Sequence, residues 1–524
     1  MRELETSRHL FQRPMYKSPD GLWTYDFNEA LGRCAGSVHL DATTVASILS
    51  FGMAGQDRTM LKEITRRPWL SRVESNGSVT LEPVPPHGLI TGTDEQLAEK
   101  FYQLLCDEAR TVCAGFNEIY ILLSGGMDSR IIAGVLADLY RAGEIQAKPV
   151  AVTWGLPDSR DVVYAARMAK ILGFEWINAE LGPQTLFGNI APTAKTLGLL
   201  HSPELLHNMQ WFKNVSPSSL VIAGSFGDSI GRAEFGGLQL LQMNQITPKN
   251  LYGILKPNVF AEICKELNAD LDAIYSRAKG NVPMYAKNEH WMQGYRMRGG
   301  LCHALCIINS YANIYQMYTA PAVYEFMWSL HPARRDDEIY ATLLENKFPA
   351  LARIPWPRTN RAIRGVTEGA QKKLRPNYHE YTQWAGGPLY TELSARIDPD
   401  WFEAQGLFDP QSIRTANEMV RTSRYRVGRL NDIWLWLAGF RTFVEHLEES
   451  GKKVAIPDQW PSREPAVLRE KSFVYKCGVY VASESATINS GLKKIRNRIR
   501  KSKLKQLKKE AICKYPPIPI SGRA

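Results

Sequence analysis

Six consecutive residues, Ser124-Gly125-Gly126-Met127-Asp128-Ser129, place two glycines, two hydroxyls and a carboxylate at one point of the chain. Glycines let backbone approach a ligand closely, and free N–H groups at a helix start form a nest for phosphate oxygens. Ser124 and Ser129 add hydroxyl donors, and Asp128 suits a Mg²⁺ that bridges the phosphates. The other common phosphate loop, which needs Gly-Lys-Ser/Thr, does not occur in the chain.

Such a loop works only where a strand hands over to a helix. Glu118 to Leu123 is a short apolar run suited to a buried strand, and from Asp128 onward Ile131, Ile132, Val135, Leu136 and Leu139 recur at helical spacing. Before them, Leu97, Phe101, Leu104, Leu105 and Ala109 mark an amphipathic helix. Pro149 to Trp154 reads as a second strand, Arg160 to Leu172 as a helix, Phe174 to Ile177 as a third strand and Leu220 to Ala223 as a fourth. This alternation predicts an α/β fold with a doubly wound parallel sheet. After about residue 240 helical patterns dominate, broken at Pro355-Trp356-Pro357 and Gly386-Gly387-Pro388. Residues 1–94 alternate short stretches with turns and predict a small β-rich unit, 95–460 the nucleotide-binding and helical body, and 461–524 an extension.

The run Ser124 to Ser129 resembles the pyrophosphate loop of the asparagine synthetase-like family, which includes β-lactam synthetase and lasso-peptide cyclases. Gly155-Leu156-Pro157-Asp158-Ser159-Arg160-Asp161, with Ala165, Ala166, Ala169 and Leu172-Gly173, is similar to that family's second strand-loop-helix. Ala223-Gly224-Ser225-Phe226-Gly227-Asp228, near Phe235-Gly236-Gly237, resembles its Gly-rich loop, with Asp228 in the place of a second magnesium aspartate. The resemblance spans about residues 40 to 445 and implies an adenine nucleotide α-hydrolase-like sheet. It implies ATP and Mg²⁺ as cofactors, held by Leu122, Ser124, Gly125, Gly126, Asp128, Ser129, Trp154 and Gly224, with Asp128 and Asp228 as metal ligands. The implied activity is adenylation of a small-molecule or peptide carboxylate, pyrophosphate departure, and attack by an amine.

The chain departs from that pattern in three places. Its N-terminal part resembles the latter half of a glutaminase domain at Leu40-Asp41, Ser50-Phe51-Gly52 and Arg58-Thr59-Met60, but residue 2 is Arg and the first cysteine is Cys34. A glutaminase nucleophile must be a cysteine bearing its own free α-amine, so glutamine hydrolysis is not expected. Ser225 stands where asparagine synthetase has a glutamate, and hydroxyls are poor bases at neutral pH. Asn360 stands where a lysine is expected, with Arg361 and Arg364 as substitutes that supply charge but no base. Ser225 and Arg361 are therefore the candidate catalytic residues. Two alternatives keep the loop: a tRNA-modifying enzyme, and an ATP-binding scaffold without turnover.

Composition narrows these. The net charge is +11, yet Lys493 to Lys509 alone carries ten Lys or Arg and no acid, so the body is nearly neutral and offers no basic nucleic-acid groove. That tail, with Leu492, Ile495, Ile499, Leu504 and Leu507 among its cations, suits a solvated terminus or a cationic helix on a membrane surface. Eight scattered cysteines without a signal peptide predict reduced thiols in a cytoplasmic protein. Cys302-His303 with Cys306, and Trp434, Trp436 and Phe440, read as core residues rather than ligands.

Overall fold

The computed structural model describes residues 13–84, 92–232, 237–278, 282–367, 369, 373–423 and 426–456. The basic tail and the pair Phe235-Gly236 lie outside these residues.

The centre is a sheet of five strands, β1 (Ile119–Leu122), β2 (Val150–Gly155), β3 (Glu175–Glu180), β4 (Leu220–Ala223) and β5 (Asn313–Gln316). Their order is β5-β4-β1-β2-β3 and every pairing is parallel, with Leu220 level with both Ile119 and Asn313. Parallel strands need helical crossovers on both faces, which is why β1 and β4 read as unbroken apolar runs: all four residues of β4 are buried. The fifth strand was not visible as a strand in the sequence. Asn313-Ile-Tyr-Gln is four residues long and lies at the sheet edge, inside a region of helical pattern.

Three helices accompany the first strands of the sheet. Helix α1 (Asp94–Cys113) opens with a complete capping box between Thr93 and Gln96, and α3 (Arg160–Leu172) is capped by the Ser159 hydroxyl. Helix α2 (Met127–Arg141) starts at Gly126 with no side-chain cap. Further on come α4 (Asp337–Lys347) and α5 (Leu430–Glu449), and the segment Met292–Cys302 winds as a π-helix.

Two cores hold the molecule. One unites the sheet, α1, α2, α3 and α4. The other joins residues of 16–64 to α5 and its neighbours, so that Val38, Leu40, Val45 and Ile48 share a core with Trp434, Trp436 and Phe440. Ser37–His39 also pairs in parallel with Lys453–Ala455. The aromatic run of α5 is thus core, as its composition indicated, with Trp436 Nε1 donating to the Leu199 carbonyl at 3.2 Å. Cys302, His303 and Cys306 are buried as well, and His303 Nε2 lies 2.9 Å from the Tyr16 hydroxyl. Among the described residues no helix is long and apolar enough to cross a membrane.

Candidate active site

The strand order reverses between β1 and β4, and in such sheets ligands bind beyond the carboxyl ends of the strands at the reversal. The two Gly-rich loops leave from those two strand ends. Between them is a cavity of about 330 Å³. Leu122, Ser124, Asp128, Ser129, Trp154, Gly224, Ser225 and Asp228 all line it, joined by Asp161, Phe226, Leu301 and Tyr378.

Glycine is required where the loops meet. A Cβ on Gly224 would come within 2.9 Å of Ser129 Cα, and one on Gly227 would overlap Asp128 Oδ1. Gly125 is equally confined, since its Cβ would overlap Pro357. The hydroxyls of Ser124 and Ser129 lie 3.0 Å apart and close the first loop: Ser124 N donates to Ser129 Oγ at 3.0 Å and Gly126 N to Ser124 Oγ at 3.2 Å. Because α2 lacks a side-chain cap, its first N–H groups are offered to whatever anion enters.

Buried side chains fix these loops from behind. Arg130, fully buried, donates from Nη2 to the Gly125 carbonyl at 2.7 Å and from Nη1 to the carbonyls of Leu351 and Ile354 at 2.7 and 2.8 Å. Burial pushes its pKa down to about 9. Tyr318 donates to the Asp128 carbonyl at 2.9 Å, and Tyr340 to that of Gly227 at 3.1 Å. Arg232 holds Asp128 in a bidentate pair, Nε to Oδ1 at 3.0 Å and Nη2 to Oδ2 at 2.7 Å, while its Nη1 reaches Asp337 at 2.9 Å. The acids around it hold the guanidinium pKa far above its ordinary value despite burial.

Asp161, at the start of α3, faces the cavity. Burial raises its pKa to about 6, against the lowering effects of the Gly125 N–H and Arg130. Trp154 also lines the cavity. It stacks on His207 at 5.8 Å, and His207 Nδ1 lies 2.8 Å from the Tyr381 hydroxyl. Burial drives the His207 pKa down to about 3, so the imidazole is neutral, and its φ of 45° is a strained backbone for a non-glycine residue.

Arg361 is exposed and is not among the lining residues; its backbone bridges to Trp356. Arg364 is ion-paired with Glu338. Asn360 takes φ 55° and accepts a hydrogen bond from the Tyr164 hydroxyl. Sequence reasoning did not find Arg130, Arg232 or His207. Arg232 and its partners Asp128 and Asp337 are separated by 104 and 105 residues, so no local spacing announces them. Among the described residues no group of three or more His, Cys, Asp or Glu is placed to hold a metal ion.

Residues 100–207 match the family model of asparagine synthase. No curated protein matches the chain. The matched segment begins within α1 and contains β1, the first Gly-rich loop, α2, β2, α3 and β3, while the second loop lies beyond it.

Proposed function

From an asparagine synthase family domain at residues 100–207, we propose that the protein is an ATP-dependent ligase that adenylates a carboxylate and passes the acyl group to an amine. The observation that carries this reading is the convergence of both Gly-rich loops on one cavity at the strand reversal. The uncapped start of α2 and the Ser124 and Ser129 hydroxyls suit the nucleotide's phosphates. Leu122 and Trp154 give apolar walls for the base.

In this reading the carboxylate oxygen bonds to the α-phosphorus and pyrophosphate leaves. The amine then attacks the acyl carbon and AMP leaves. The cavity holds reactants in line and the loop N–H groups meet the charge growing on the leaving group. The attacking amine must lose a proton, which Ser225 is ill suited to accept. Asp161, with its pKa near 6, is the cavity residue we assign that task. Magnesium bridged by Asp128 and Asp228 does not fit the arrangement as it stands, because Arg232 already occupies both oxygens of Asp128.

The test is ATP–pyrophosphate exchange with pooled carboxylates and, separately, with bulk tRNA. Exchange dependent on a carboxylate is expected. Exchange with tRNA alone would overturn the reading in favour of base modification, and nucleotide binding with no exchange in either pool would favour a scaffold.

A further inference from the structure

Arg66 faces Tyr16 across an antiparallel pairing, which the Arg67 N–H extends to the Met15 carbonyl at 2.9 Å. Arg298, on the π-helix Met292–Cys302, reaches the same place: it donates to the Arg67 carbonyl and, from Nη1, to that of Gln56 at 3.3 Å. These three arginines, with Arg13 and His303, line a cavity of about 10 Å³, room for about one water-sized particle. It shares no lining residue with the nucleotide cavity.

Positive charge is in excess there. Arg66 is 3% and Arg298 8% exposed. Yet among the described residues the one acid in ion-pair range of Arg66, Arg67 or Arg298 is Asp57, 3.8 Å from Arg298 Nη1. The carbonyls of Ala54, Gln56, Arg58 and Arg67 take N–H groups of Arg66 and Arg298 but carry no net charge. Burial, and after it Arg298, push the Arg66 pKa down to about 10. Buried charge without a counter-charge is costly. His303 adds a donor. It is buried, and its Nδ1 has no hydrogen-bond partner, while Nε2 lies 2.9 Å from the Tyr16 hydroxyl. Burial and the cations around it keep the imidazole neutral, and burial holds Tyr16 as the phenol. Among the described residues that hydroxyl has His303 as its hydrogen-bond partner, so its O–H donates to Nε2 and the imidazole proton sits on Nδ1.

We propose that this pocket binds one small monovalent anion of the halide class, such as chloride, held by Arg66, Arg67, Arg298 and the Nδ1–H of His303. Guanidinium groups donate and never accept, so an anion answers both the donors and the surplus charge, where water would answer the donors alone. The size of the cavity selects a single atom over phosphate or a carboxylate. An anion seated there lets the segment 13–67 pack against Met292–Cys302 with its cations compensated, so binding belongs to the folded state and raises its stability.

The experiment combines chloride-35 NMR line widths with thermal melts of the full chain, in sodium chloride against sodium gluconate at fixed pH and ionic strength. Excess line broadening that bromide displaces is expected, together with a melting temperature that climbs along a saturating curve in chloride, both giving one Kd. Arg298→Gln is expected to abolish the broadening. Should that variant fail to fold, Arg67→Gln decides, because the half-buried Arg67 side chain makes one hydrogen bond among the described residues, to the Arg13 carbonyl at 3.5 Å. Losing one charged donor in Arg67→Gln is expected to weaken chloride about tenfold. Broadening that does not saturate, a melting temperature that is the same in chloride and gluconate, or chloride affinity unchanged in Arg67→Gln overturns the site. Displacement of chloride by inorganic phosphate as readily as by bromide overturns the halide assignment.

Discussion

Single atoms decide most of what the cavity can do. Gly227 has no room for a methyl group, since Asp128 Oδ1 would be overlapped by it, and the displaced carboxylate is the one Arg232 holds. Gly227→Ala is therefore expected to cost about 1–3 kcal/mol of stability as overpacking. It should also weaken nucleotide binding about tenfold or more, measured by thermal melts and by titration with an ATP analogue; binding at wild-type affinity would show that the two loops need not touch. Asp161 makes two separable predictions. Its carboxyl binds a proton more tightly folded, near pH 6, than unfolded, near 3.8. Between those values the folded state holds the extra proton, so stability falls as pH rises and the loss is complete above about 6. A displacement of that size corresponds to at most roughly 3 kcal/mol. Asp161→Asn should thus gain on the wild type from pH 4 to 6 and keep a constant lead above it, and a lead independent of pH would refute the assignment. In the same variant carboxylate-dependent exchange should survive while amide formation falls by about 10² or more, the size usual for loss of a general base.

Helix α5 is the element on which the second core depends. Trp436 is 1% exposed and its indole N–H is satisfied by the Leu199 carbonyl, so Trp436→Ala removes both a large apolar body and a buried hydrogen bond. The expected loss is about 3–5 kcal/mol, read by denaturant unfolding, with Trp436→Phe costing less. A change under about 1 kcal/mol would mean the core collapses around the gap. In the sequence Trp434, Trp436 and Phe440 read as core within a largely helical C-terminal half, without the bounds of this helix. Sequence reasoning reached β1, β2, β4 and the first Gly-rich loop because strand, turn and helix signals there follow one another within a few residues. It missed β5, whose four residues are strand only because β4 lies beside them. It likewise missed Arg232 and Arg130: the carboxylates Arg232 holds, and the Leu351 and Ile354 carbonyls that Arg130 ties to the nearby Gly125 carbonyl, lie more than 100 residues away.

At the scale of the molecule, the expected β-rich N-terminal unit is present as short strands, Tyr16–Lys17 pairing with both Trp23–Thr24 and Thr65–Arg66. Its apolar residues, however, point away from any private interior. Val38, Leu40, Val45, Ile48 and Leu49 are at most 2% exposed, and the core they enter is built by α5 and by helix Pro257–Ser276. The Leu40 N–H donates to the Ala455 carbonyl at 2.9 Å, and Arg429 reaches back to the carbonyls of Ile48 and Leu49 at 3.0 and 3.1 Å. Burial of apolar surface is the dominant favourable contribution to folding, so two segments that bury the same surface against each other stand or fall together. Residues 93–456 expressed alone are therefore expected to aggregate, or to melt without one cooperative transition, whereas 13–456 melts as one body. Adding residues 13–84 in trans should recover part of the lost stability. A soluble 93–456 fragment with the melting temperature of the longer chain would show instead that the nucleotide-binding half carries its own core, and that the N-terminal strands only cover it.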